Sequence, residues 1–364
     1  MPPALPPRAP HEQVFIPNAL TASLPGSARG STVAAFSPDG GLLAVAGADT
    51  LNFSICLFDA VTLELRATLE SHHDYIYSLE WSPDGRFLVS ASSDFTAKVW
   101  EVPGSASQTS GASGAGTTFA PSAGRQHRHR HLLQHPAFVY AATFHPGGRL
   151  LATGSFDGEV RVWDATTGER VRCSSGTGTA GISRGAAANA LAFDAAGKRL
   201  YVADAMGAVR EYAFEELAAA TAGADARLGS HLLEPLRTCS DLADEPIISM
   251  KMVPNGKRLV LMTKRSRMCS VDLDSFAVAK VYPSPRCSTL PIRFAVSPDS
   301  RHIISGSEDG RVYLWDVETT HMHRLAHMGK GGDPVCSVTW SPSAHAVATC
   351  SFVAQCPVHV YSHD

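Results

Sequence analysis

The sequence has no apolar run long enough to span a bilayer and no signal-peptide pattern, so any link to a membrane is expected to be indirect, without insertion. It has no basic excess. Its 31 Lys and Arg residues stand against 34 Asp and Glu, a formal charge of -3, which argues against a nucleic-acid backbone as the main partner. Eight cysteines occur without a Cys-x-x-Cys pair or a Cys/His ligand spacing. They are expected to be reduced, mostly buried thiols of a cytosolic protein, with no metal held. Gly-rich phosphate loops, Lys-Ser/Thr pairs and carboxylate clusters are also missing, so no cofactor is expected. With 364 residues the length alone suggests two or three domains, unless the chain repeats itself.

It does repeat itself. Ser305 to Asp316 reads SGSEDGRVYLWD: the end of one strand, an Asp-Gly turn, and a second strand closing on Trp-Asp. SASSDFTAKVWE ends at Glu101 and TGSFDGEVRVWD at Asp164, in the same pattern. The Trp-Asp ending marks the third strand of a WD-repeat blade. A second motif, a Ser-Pro-Asp-Gly type turn between apolar strands, begins at Ser37, Ser82, His145, Asp194, Val253, Ser297 and Ser341. The intervals are 45, 63, 49, 59, 44 and 44 residues, and a bare blade needs roughly 40–45. Seven turns predict an all-β, seven-bladed propeller over residues 11–364.

Before it, residues 1–10 are Pro-rich and expected to be disordered. Pro3 to Arg8 fits a weak SH3 ligand. Val14-Phe15-Ile16 is a short apolar strand stopped by Pro17. The last blade holds only three strands before the chain ends, so Val14 to Ile16 is expected to supply the fourth and close the ring. Flexible insertions near 103–130, 174–187 and 215–240 account for the long intervals and should fall where blades join. An Ala-rich helix is expected in the third. QHRHRH carries His127, His129 and His131 on one potential strand face; an outer solvated strand is favoured over a metal site.

Well-formed blades of this kind bury a polar row. His72, Ser90, Asp94 and Trp100 fit it in blade two, and His135, Thr153, Asp157 and Trp163 in blade three. Ser305, Asp309 and Trp315 fit it in blade six, where no His precedes the first strand. The Ser/His/Asp content suggests a hydrolase, but the set recurs in repeats and lacks a nucleophile elbow, so no catalysis is expected. Phe58, Tyr212 and Asp272 stand in the Trp position of blades one, four and five. Aromatics expected on one rim of the ring are Tyr75, Phe95, Phe138, Phe156 and Phe352, with a basic arc of Lys264, Arg265 and Arg267. Such residues make protein-binding hot spots; the alternative is that about half of these rings pack between blades, Phe138 first among them.

HPAFVYAATFHP (135–146), PNGKRL (254–259) and GSEDGRVYLW (306–315), with Phe15-Ile16-Pro17 and the ending from Pro357 to Tyr361, resemble the propeller region of the jouberin family. The resemblance covers roughly residues 11–362. It implies a non-enzymatic scaffold of the ciliary transition zone, at the basal body, where partners would be other proteins of that complex. It also implies a coiled coil and an SH3 domain in animal members. Neither lies within these residues, so functions tied to them are not carried over. An alternative is the substrate receptor of a cullin-type ubiquitin ligase. Such receptors often carry Trp-Asp-x-Arg, whereas Trp163-Asp164 and Trp315-Asp316 are followed by Ala165-Thr166 and Val317-Glu318.

Overall fold

The computed structural model describes Arg8 and residues 12–49, 53–102, 129–173, 186–214, 235–329 and 332–363. Each predicted turn starts a hairpin, and its chemistry recurs. Ser82 Oγ donates to Asp84 at 2.6 Å, Asp84 accepts the Arg86 N–H, and Ser82 Oγ accepts the Phe87 N–H. Gly85 completes the turn at a φ of 69°, which a side chain would strain. The same bonds recur at Ser37-Asp39 and Ser297-Asp299. These bonds are local, so each turn sets the register of its hairpin within its own blade.

Among the described residues the strands assemble into seven four-stranded antiparallel sheets. Blade two is typical: Ile76–Trp81 lies innermost, followed by Phe87–Ser92, Thr96–Glu101 and the outer His131–Gln134. The inner strands of the other blades are Ser31–Phe36, Val139–Phe144, Ala188–Phe193, Ile247–Met252, Phe294–Val296 and Val335–Trp340. Seven buried apolar clusters fill the seven gaps between successive blades. Between blades one and two, for example, Ile55, Leu57 and Leu69 pack against Ile76, Leu88 and Trp100. Because both faces of each sheet meet a neighbour, the strands read as apolar runs and not as alternation. The result is a seven-bladed all-β propeller.

The ring is closed by the chain's beginning, but five residues later than expected. The outer strand of blade seven is Ala19–Leu24, paired with Val358–Ser362 in the register Ala19 to Ser362 and Leu24 to Val358. Val14-Phe15-Ile16 is not a strand. The Val14 side chain fills the core between blades six and seven, its N–H donates to Asp299, and the Phe15 N–H donates to His345 Nδ1. An outer strand is half exposed, so Ala, Thr and Ser suit it. Of the apolar triplet only Val14 is fully buried, as a plug; Ile16 is half buried and Phe15 is exposed.

Three other expectations change. Residues 103–128 and 215–234 separate the third and fourth strands of blades two and four; only 174–185 lies between blades. These insertions, the expected helix and most of the Pro-rich tail lie outside the described residues. Arg8 is described and buried. Its guanidinium donates to Pro342 O and Glu12 O, and its N–H to Ser343 O.

Candidate protein-interaction face

The polar rows are built differently in each blade. In blade two the row is complete: the Trp100 indole donates to Ser90 Oγ at 2.8 Å, Ser90 Oγ meets His72 Nε2 at 2.6 Å, and His72 Nδ1 meets Asp94 at 2.8 Å. Burial pushes the Asp94 carboxyl up, but bonds from His72, Thr96 and the His73 N–H outweigh it and hold Asp94 well below the ordinary range. In blade three Trp163 and His135 both meet Thr153 Oγ1 at 2.8 Å, but Asp157 does not reach His135. Arg161 stands where blade two has Lys98, and its forked guanidinium takes Asp157 at 2.6 Å. His135 Nδ1 turns to Leu133 O instead. In blade six there is no row. Lacking a His, the Trp315 indole donates to Pro283 O at 2.7 Å, Ser305 Oγ donates to Gly306 O, and Asp309 accepts from Tyr313 OH at 2.6 Å.

In blades one and four Phe58 and Tyr212 do fill the Trp position, opposite Leu43 and Leu200. In blade five Val271 fills it, opposite Leu259. Asp272 is the next residue and does what an aspartate does there. It accepts the Asp274 and Ser275 N–H groups and turns the chain to the outer strand, as Asp164 and Asp316 do in their blades.

His135 makes stability depend on pH. Burial, reinforced by the Arg161 charge, lowers its pKa to about 4, against roughly 6.5 in the unfolded chain. The unfolded chain therefore takes up a proton that the folded ring refuses. Stability should be full above about pH 6.5 and fall by up to about 3 kcal/mol as pH drops towards 4. Urea midpoints at pH 7.5 and 5.0 measure this. A His135→Gln variant should show the shallower slope, and an unchanged slope contradicts the assignment.

The loops before the inner strands and after the second strands meet on one face. Phe95, Phe138 and Phe156 form a chain of rings there, with centroids 5.3 and 6.2 Å apart, and are 48%, 36% and 54% exposed. Phe138 thus joins the rim cluster and is not packed between blades. Tyr140 links Phe156 and Tyr77. Tyr75 packs edge-on against both Phe53 and Phe352, half buried. The basic arc divides. Lys264 lines a cavity of about 310 Å³ with Tyr77, Tyr140 and Phe156, Arg265 is exposed, and Arg267 is tied to Glu245 at 3.0 Å.

Sequence reasoning alone does not find Tyr77, Tyr140 and Arg293. A signal for the tyrosines is present: each is the second residue of an inner strand, where it faces the channel mouth. Below them Glu80 accepts from Thr143 Oγ1 and the Phe144 N–H, joining blades two and three. Of the His cluster, His127 lies outside the described residues. The His129 ring meets Trp100, and His131 Nε2 meets Thr166 O, so these two do not share a ligand. Among the described residues no group of His, Cys, Asp and Glu could hold a metal, and no helix is long and apolar enough to cross a membrane.

Comparison with known proteins agrees with this geometry. The WD domain, G-beta repeat family matches residues 63–101, 127–164 and 287–316. Rat and mouse jouberin are 28% and 29% identical over 98% of this chain, and Protein tipD of Dictyostelium discoideum is 24% identical over 85%. The chain spans about a third of the jouberins' length, 32% of each. The crystal structure of the Cps50 (Swd1) β-propeller domain of Myceliophteria thermophila superposes with a TM-score of 0.71 at 15% identity. It covers 96% of this chain and all of that one, a likeness of fold alone. The fold and the repeat match define a WD-repeat β-propeller, and the repeats with the jouberin relatives support a scaffold for protein interactions. Within that class the chain is a jouberin-like WD-repeat protein.

Proposed function

We propose that this chain is a non-enzymatic scaffold of the ciliary transition zone that captures other proteins on its aromatic rim. The exposed run Phe95-Phe138-Phe156 carries the reading, because large rings left in water on a loop face are the usual anchors of a protein contact. The likeness to rat and mouse jouberin supports the ciliary setting. The Ser/His/Asp set supports the absence of catalysis: Ser90 is fully buried inside its blade, where no substrate reaches its Oγ.

The test is a tagged protein in a ciliated cell beside a Phe95→Ala, Phe156→Ala, Arg265→Glu variant. All three side chains are exposed, so the variant should keep its melting temperature within about 2 °C. The wild type should concentrate at the cilium base, and the variant should spread through the cytoplasm at equal abundance. A wild type absent from the base, or a variant still held there, overturns the proposal.

A further inference from the structure

Arg293 has an unusual place in the ring. Its backbone joins blades six and seven: its N–H donates to Cys336 O at 2.7 Å, and it forms a bridge with Ser337. Its side chain crosses the channel mouth, donating at 3.0 Å to Ile248 O of blade five and at 3.0 Å to Tyr77 O of blade two. Two of five guanidinium N–H groups are thereby bonded, and among the described residues no carboxylate pairs with it. Burial lowers its pKa to about 10, still well above neutral pH, so the charge remains and is poorly hydrated. The nearby rim carboxylate, Glu308, is already engaged by the N–H groups of Ser288, Thr289 and Leu290.

This cation sits between two apolar cavities. The smaller, about 160 Å³, is walled by Tyr75, Ile76 and Phe352; the larger, about 310 Å³, by Tyr140, Phe156 and Ile248. Tyr77, Leu290, Pro291 and Arg293 belong to both and form the divide. A half-desolvated guanidinium without a counter-charge attracts an anion, and the walls on either side attract apolar groups. With a single cation at the divide, and Lys264 on the far wall, the charge suits one carboxylate better than a polyphosphate.

We propose that this two-lobed cup takes an extended peptide of a partner protein, which sets one Asp or Glu carboxylate on Arg293 and an apolar side chain in each lobe. The inference rests on the rim reading above and gives it a ligand chemistry. The peptide forms a bidentate or water-free contact with the guanidinium N–H groups that the carbonyls leave unused.

The experiment measures retention of acetylated hexapeptide mixtures on the immobilised full chain. One central residue is fixed as Asp, Glu, Asn, Gln, Lys or phosphoserine, and its neighbours are drawn from Leu, Phe and Tyr. Asp and Glu mixtures should be retained at least about tenfold better than their amides. The preference should vanish in Arg293→Met, with folding checked by melting temperature. Should that variant fail to fold, Phe156→Ala serves, lowering retention of the acidic mixtures at least about fivefold. Equal retention of acid and amide that still depends on Phe156 overturns the carboxylate inference alone. Preference for phosphoserine, or no retention of any mixture, overturns it too. Retention indifferent to Phe156 would place the peptide elsewhere and count against the rim reading itself.

Discussion

Removing residues 1–24 should abolish cooperative folding of the whole ring, not merely loosen one blade. The deletion strips the outer strand from blade seven, leaving Val358–Ser362 as an open edge. It also withdraws Leu24 from the core between blades seven and one and Val14 from the core between six and seven. Burying each of those side chains contributes roughly 1.5–3 kcal/mol. The lost strand pairing, the Val14 and Phe15 backbone bonds and the Arg8 contacts add to that, against a total stability on the order of 5–15 kcal/mol. The exposed edge also offers a template for aggregation. Thermal scans and solubility measure the outcome. A peptide of residues 12–26 added in trans should restore part of the transition. A truncated chain that melts at the wild-type temperature would show that the closure contributes nothing.

The need for closure is legible in the sequence and the closing strand is not, for one physical reason. Counting turns against strands shows that one strand is short in the last blade. Choosing Val14 to Ile16 for it assumes that strands are apolar, which holds for inner strands sealed on both faces. Ala19–Leu24 is an outer strand with Leu20 half exposed, and pairing of the backbone rather than burial selects it. Asp272 is misplaced for a related reason. With no Trp to anchor the register, the aspartate reads as the missing ring, whereas Val271 fills that position and Asp272 keeps the turn.

The rim is legible in part. Loop aromatics can be picked out beside turn signals, and Phe95, Phe138 and Phe156 do meet. Arg293 cannot be found that way. Its importance comes from crossing the channel to blades two and five, a relation between residues 216 and 45 positions apart that only the closed ring creates. Arg267 shows the converse: a basic residue in the right loop whose charge is consumed by Glu245.

Ser90 and Ser305 hold the same place in blades two and six, and both are fully buried, yet their removal should differ severalfold in cost. Ser90→Ala takes from the Trp100 indole its acceptor and from His72 Nε2 its partner, both of them buried inside the blade. Two buried polar groups left unmet cost about 1–3 kcal/mol each, so the loss should be about 2–6 kcal/mol. Trp100→Ala should cost about 3–5 kcal/mol, since it also empties the core between blades one and two. Ser305→Ala frees only the Gly306 carbonyl, because Trp315 is bonded to Pro283 O, and should cost less than about 1 kcal/mol. Urea denaturation of the three variants at pH 7.5 decides the matter. Equal destabilisation by the two serine substitutions would mean that the row in blade two adds nothing beyond packing. The expected contrast would place the strength of this ring unevenly, in the blades where histidine completes the row.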